Sequence, residues 1–179
     1  MPAPFIRFDG DEAMRANKEW GFSCGPAALA AVLNLRPVDV KPAFPQFPGY
    51  CTPSAMTTAL ATLKQLHEWR IATHPPLVEQ CDPMPDPLAL LPARGVARIQ
   101  WAGPWTEPGA NVKWAYQHTH WIASWRDGDA CEIYDINMGV NPADVWVRDV
   151  VPQLLVAHPR ATGRFWITHT YNIIDAPAR

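Results

Sequence analysis

The sequence predicts an α+β domain built around an antiparallel sheet, on three observations. Helix signals crowd the first third of the chain, strand signals crowd the last third, and the last third contains a hairpin. The length of 179 residues fits one domain spanning 1–179. With 48% hydrophobic and 18% charged residues, a packed core is expected in place of disorder.

The first twenty residues are mixed and polar and read as an arm with some local structure. The chain then changes character at GFSCGPAALAAVLNL. Pro26 suits the first turn of a helix, where a missing N–H costs nothing. The Ala- and Leu-rich run from Ala27 to Leu35 has high helix propensity, and Pro37 stops it. Cys24 therefore falls at or just before a helix N-terminus. Residues 36–51 read as a proline-punctuated loop. A second helix is signalled at TPSAMTTALATLKQL: Thr52 can cap it, Pro53 fits its first turn, and Met56, Leu60 and Leu63 share one face.

Further on, 70–73 suggest a short strand, and the proline-rich stretch 74–95 leaves room for a helical turn or two at LALL. VARIQW (96–101) reads as a strand, and 102–117 as a long loop carrying Trp105 and Trp114. HTHWIASW (118–125) and CEIYDIN (131–137) form the two arms of a hairpin about a turn at 127–129. Residues 147–158 suggest a short helix broken near Pro152, and 164–175 a closing strand.

Composition narrows the function classes. The 15 basic against 17 acidic residues give a net charge of -2, which excludes a strongly basic nucleic-acid footprint. No apolar run approaches the roughly 18 residues needed to span a bilayer. The acidic start MPAPFIRFDGDE lacks the apolar stretch of a signal peptide, so a cytoplasmic protein is expected, with no nucleic-acid or membrane partner. Twenty prolines, about twice the usual share, imply many irregular connections between short elements. Nine Trp imply a bulky core, with some indoles available to line a groove.

Cys24, Cys51, Cys81 and Cys131 form no C-x-x-C pair, so neither a zinc ribbon nor a redox dithiol has local support; no metal or organic cofactor is expected. Three of these cysteines read as small apolar residues. Cys24 differs, because a helix N-terminus and a neighbouring imidazolium are what lower a thiol pKa. Gly25 leaves the thiol unobstructed. The best base is His120, which opens the strongest strand; His118 is its rival. The base needs an orienting group for its second ring nitrogen, and Asp135 and Asn137 on the returning strand have the same parity. A carboxylate both accepts the ring N–H and stabilises the imidazolium, which favours Asp135. His67, His74, His158 and His169 have no partnered motif and read as surface or structural residues.

CGPAALAAVL resembles the nucleophile segment of papain-like cysteine peptidases, particularly the bacteriocin leader-peptide-processing branch. HTHWIASW and IYDIN resemble that family's His strand and Asp strand. The resemblance implies a papain-like fold, with a central helix carrying the Cys against an antiparallel sheet. It implies a thiol protease triad of Cys24, His120 and Asp135, acting on a peptide or protein through an acyl-enzyme. The compact composition of the chain, separately, would suit a stand-alone bacterial or phage protein. One departure accompanies the likeness. The family usually places a Gln six residues before the Cys, as an oxyanion donor; here that position is Lys18, and Asn17, one residue further back, is the candidate donor, with the Cys24 backbone N–H as another. Losing such a donor costs about 100- to 1000-fold in rate. The competing reading is a catalytically silent module that keeps the fold and uses its groove to hold a peptide or partner protein. Other acyl-transfer chemistry, such as transglutamination or deamidation, would use the same residues.

Overall fold

Among the described residues six strands pair antiparallel throughout, in the order β1-β6-β2-β3-β4-β5. They are β1 (His67–Ile71), β2 (Arg94–Trp101), β3 (Thr119–Asp127), β4 (Ala130–Asp135), β5 (Gly139–Pro142) and β6 (Phe165–Ile173). The structure, a computed structural model, describes residues 6–71 and 86–174. The class is α+β, as the order of helix and strand signals implies.

Helices α1 (Gly10–Trp20), α2 (Cys24–Val32) and α4 (Pro53–Thr62) belong to one core, with the short α3 (Pro37–Val40) between them. In α2 every residue after Cys24 is buried. A helix apolar all round belongs inside. Its alanines keep it slim against β3, and burying Leu29 alone contributes about 2 kcal/mol. The same core takes Val96, Trp121, Ala123 and Tyr134 from the sheet. Alternate residues Ala97, Ile99, Trp101, Ile122 and Ile133 point to the opposite face. There they meet a second helical layer: α6 (Ala143–Val145), a π turn (Trp146–Val150) and α7 (Val151–Leu154). The sheet is thus a partition between two cores. Strand β6 serves both, because a register shift opposite Arg98 and Ile99 breaks its alternation. Phe165 and Ile167 join the second core, Tyr171 and Ile173 the first.

Several expectations need correction. The second half of the N-terminal arm, Gly10–Trp20, is a regular helix, α1, capped by Asp9 through a 2.8 Å bond from the Glu12 N–H and closed by Gly21 at φ 84°. A Cβ on Gly21 would also stand 2.7 Å from that of Pro48. The 36–51 loop contains α3 and a 3₁₀ turn (Lys41–Ala43). Helix α2 begins at Cys24 itself and ends at Val32, before Leu35. The 102–117 loop contains a 3₁₀ turn (Pro104–Thr106) and α5 (Val112–Ala115). Strand β5 carries no sequence expectation. The second helix is α4, capped by Thr52 as its sequence implies. Residues 72–73, most of the 74–95 stretch and Cys81 lie outside the described residues. No helix among the described residues is long and apolar enough to cross a membrane.

Candidate active site

Cys24 is the first residue of α2, preceded by Ser23 in an extended conformation with no side-chain cap. The first N–H groups of a helix have no intrahelical acceptor, so those of Cys24 and Gly25 remain available beside the thiol. Gly25 is obligatory here by close approach: a Cβ would sit 2.3 Å from the Cβ of Cys51. Cys51 is buried against this turn, and its carbonyl accepts the Trp121 indole N–H at 2.8 Å. That bond ties the helix start to β3.

His120 is the second residue of β3, paired with Ile99 of β2. On its other side the ladder with β4 stops at the Ala123–Tyr134 pair and β4 itself ends at Asp135, so the sheet opens beside His120. Two groups use the opening. The Trp121 backbone N–H and the His120 ring both stand close enough to the Cys24 sulfur to favour its charged form. The His120 Nε2 stands 2.9 Å from Asp135 Oδ2, which leaves Nδ1 for the sulfur. Trp101 stacks beside the imidazole with ring centroids 6.4 Å apart.

Asp135 is fully buried and its carboxylate is surrounded by donors. Oδ2 takes the Trp146 indole N–H at 3.1 Å besides its contact with His120. Oδ1 accepts from the Asn137 backbone N–H at 2.9 Å and from its Nδ2 at 3.0 Å. This corrects the strand expectation for Asn137. β4 ends at Asp135, and Asn137 has turned back to hold the carboxylate from behind. The two residues act in series, not as alternatives at one place.

The titration directions follow this geometry. Burial opposes charge on the Cys24 thiol, but the His120 charge, its hydrogen bond and the Trp121 N–H outweigh it and hold the thiol below its ordinary value. Burial also opposes the His120 imidazolium, yet the Cys24 thiolate and the bonds to Asp135 and Cys24 raise it to about 10. Burial would raise Asp135, and the bond and charge of His120, with the Asn137 and Trp146 donors, bring it below the ordinary carboxylate range. Thiolate, imidazolium and carboxylate are therefore the mutually favoured states. Cys51 and Cys131 are pushed up, burial being the main cause in each.

Asn17 stands in the last turn of α1, and its Nδ2 donates to the Phe22 carbonyl at 2.9 Å. That bond braces the segment leading into Cys24. Lys18, six residues before Cys24, is exposed. His118 is not on the strand with His120; it closes a 3₁₀ turn (Tyr116–His118). Its Nδ1 lies 2.9 Å from Nδ1 of His158, and its ring stacks on Trp105 at 3.4 Å. His158, expected to be a bystander, thus lies within two rings of His120. No sequence signal could have found it, because its partners come from distant segments. Among the described residues no group of three or more His, Cys, Asp or Glu is placed to hold a metal ion. Neither models of known protein families nor curated protein sequences give a match to this chain.

Proposed function

We propose that the protein is a cysteine hydrolase of papain-like fold that cleaves a peptide or protein substrate. The observation that carries the reading is the convergence of Cys24, at the start of a buried helix, with His120 and its 2.9 Å partner Asp135. A thiol held below its ordinary pKa beside a raised imidazole is an activated nucleophile.

In this reading the Cys24 thiolate attacks the substrate carbonyl carbon. The resulting oxyanion is received by backbone N–H groups at the start of α2, where the uncapped helix end also favours negative charge. His120 gives its proton to the leaving amine as the C–N bond breaks, and a thioester to Cys24 remains. His120, now neutral, takes a proton from water as that water adds to the thioester. Collapse releases the acid and restores the thiolate–imidazolium pair. Asp135 keeps the ring oriented and its charge balanced throughout, and Asn137 and Trp146 keep Asp135 in place.

The silent-module reading is favoured by one observation, the absence of a free side-chain amide at the family's oxyanion position: Lys18 stands there and Asn17 is engaged with Phe22. Turnover of p-nitrophenyl acetate separates the two. A hydrolase gives a burst of one nitrophenolate per chain, an acetyl group on the Cys24 peptide, and neither in Cys24→Ala. Identical traces for the two proteins, with Cys24 unmodified, would leave the module reading standing.

A further inference from the structure

One cavity lies beside His120, and a second shares His158 with it as a lining residue. The first, of about 360 Å³, is lined by His120, Thr119, Asn137 and Met138 on one side and by Leu154 and His158 on the other. Cys24 is not among its lining residues, so it lies on the imidazole side of the relay. The second, of about 320 Å³, is lined by His158 together with Trp105, Trp114, Pro104 and Pro159.

We propose that the second cavity is a subsite for an aromatic or large aliphatic side chain on the leaving-group half of a peptide. This deepens the hydrolase reading and rests on it. The direction follows from the chemistry, because the leaving amine must lie where the imidazolium can protonate it. The substrate beyond the cleaved bond therefore runs out over His120, into the first cavity. Distance fits as well. The Trp101 ring has its centroid 6.4 Å from that of His120 and 6.4 Å from that of His158, so the two imidazoles are at most twice that distance apart. An extended chain advances roughly 3.3 Å per residue, so the first few residues past the bond reach the second cavity.

The occupant follows from the walls. Trp105 is fixed by its indole N–H on the Trp101 carbonyl at 2.7 Å and by the His118 ring stacked on it. Trp114 is 61% exposed, leaving an indole face ready to close on a ligand. Rigid aromatic walls take an apolar side chain with little ordering cost. No Asp or Glu lines either cavity, and Arg160 stands at the rim of the second. A lysine or arginine side chain would meet that charge without a carboxylate to pair with.

The test uses dipeptide and tripeptide amides, Gly-Phe-NH2 and Gly-Gly-Phe-NH2 against Gly-Lys-NH2 and Gly-Gly-Lys-NH2. In the first arm they compete with water for the acetyl-enzyme formed from p-nitrophenyl acetate. The amine adds to the thioester, Cys24 leaves as thiolate, and His120 takes the amine proton. The phenylalanine amides are expected to capture the acetyl group at least about 10-fold more efficiently, the low end for burying that side chain. Trp114→Ala should erase the preference, and Trp69→Ala, an exposed indole on β1, should keep it. In the second arm the amides are titrated into Cys24→Ser, with indole ¹H–¹⁵N resonances recorded. Movement of the Trp114 resonance by the phenylalanine amides, but not the lysine amides, supports the subsite even if the ester is never turned over. In that case the hydrolase reading fails alone. Equal capture of both kinds of amide, or an unmoved Trp114 resonance, overturns the subsite.

Discussion

Replacing Asp135 by Asn tests the relay at its most constrained member. The carboxylate is fully buried and receives four donors at 2.9 to 3.1 Å. An amide of the same shape has one oxygen. If that oxygen keeps the two Asn137 donors, its NH2 confronts the Trp146 indole and His120 Nε2. His120 can then satisfy the amide only by moving its proton to Nδ1, the wrong tautomer for receiving one from the thiol. The charge is lost as well. At 2.9 Å from Nε2, a full charge is worth about 6 kcal/mol at an effective dielectric near 20. Even half of that corresponds to about two pK units on the imidazolium. The sign is fixed by the coupling: a less basic His120 stabilises the thiolate less, so the acid limb of Cys24 reactivity moves to higher pH. Rates of iodoacetamide labelling, resolved by site in a mass spectrometer across pH 4–10, give that limb directly. At pH 7 the variant should label Cys24 about tenfold more slowly or worse, each pK unit being a factor of ten. Cys131, at the other end of β4, is the internal standard, and circular dichroism checks that the variant is folded. A folded variant whose Cys24 profile matches the wild type, relative to Cys131, would refute the coupling of Cys24 to Asp135 through His120.

Asn137→Ala removes one of four bonds to the carboxylate and leaves the backbone N–H in place, so its ester turnover should exceed that of Asp135→Ala by on the order of 10-fold. In the wild type, Cys24 should label faster than Cys51 and Cys131 at neutral pH, and its labelling should persist well below the ordinary thiol range; equal rates at the three sites would count against an activated thiol. Gly25→Ala should lower the melting temperature, with a loss of about 1–3 kcal/mol for overpacking, because its Cβ has no space beside Cys51 and Trp121. Gln100→Leu removes the buried amide that donates to the Ala115 and His118 carbonyls at 3.0 Å; a loss of about 1–3 kcal/mol, with faster hydrogen exchange around His118, is expected.

What the sequence disclosed was what local chemistry decides. Thr52 and Pro53 mark the start of α4, the CGPAALAAV run marks α2, and the Gly128 turn marks the β3–β4 hairpin. Even α1 had its signals: Asp9 three residues ahead of Glu12, Ala13, Ala16 and Trp20 at helical spacing, and Gly21 as a stop. The polar character of that stretch masked them. Other features have no local cause. Strand β5 is four residues ending in Pro142, a pattern too short to carry alternation. The shift in β6 reverses which residues face which core, so the alternation alone misleads there. Parity placed Asn137 level with Asp135 as a partner for His120, and only the end of β4 shows that the chain has already turned. His118 and His158 meet through tertiary packing, which no spacing encodes.

The relay draws on both sides of the partition, and this explains why its position is so narrowly determined. Cys24 is set by α2 and the first core, through the small alanines and the Gly25 contact with Cys51. Asp135 is set from the other side, by the Trp146 indole of the π turn, whose ring is itself fully buried in the second core. A π turn widens the helix locally, and such turns recur at functional sites. His120 lies between them at the point where β4 leaves β3, the one interruption in that ladder that lets a side chain on one face reach a thiol supplied by the other. Were β4 to continue two residues further, Asn137 would stand opposite His120 and the Trp121 N–H would bond within the sheet, not to sulfur. The early end of β4 is therefore what makes the site.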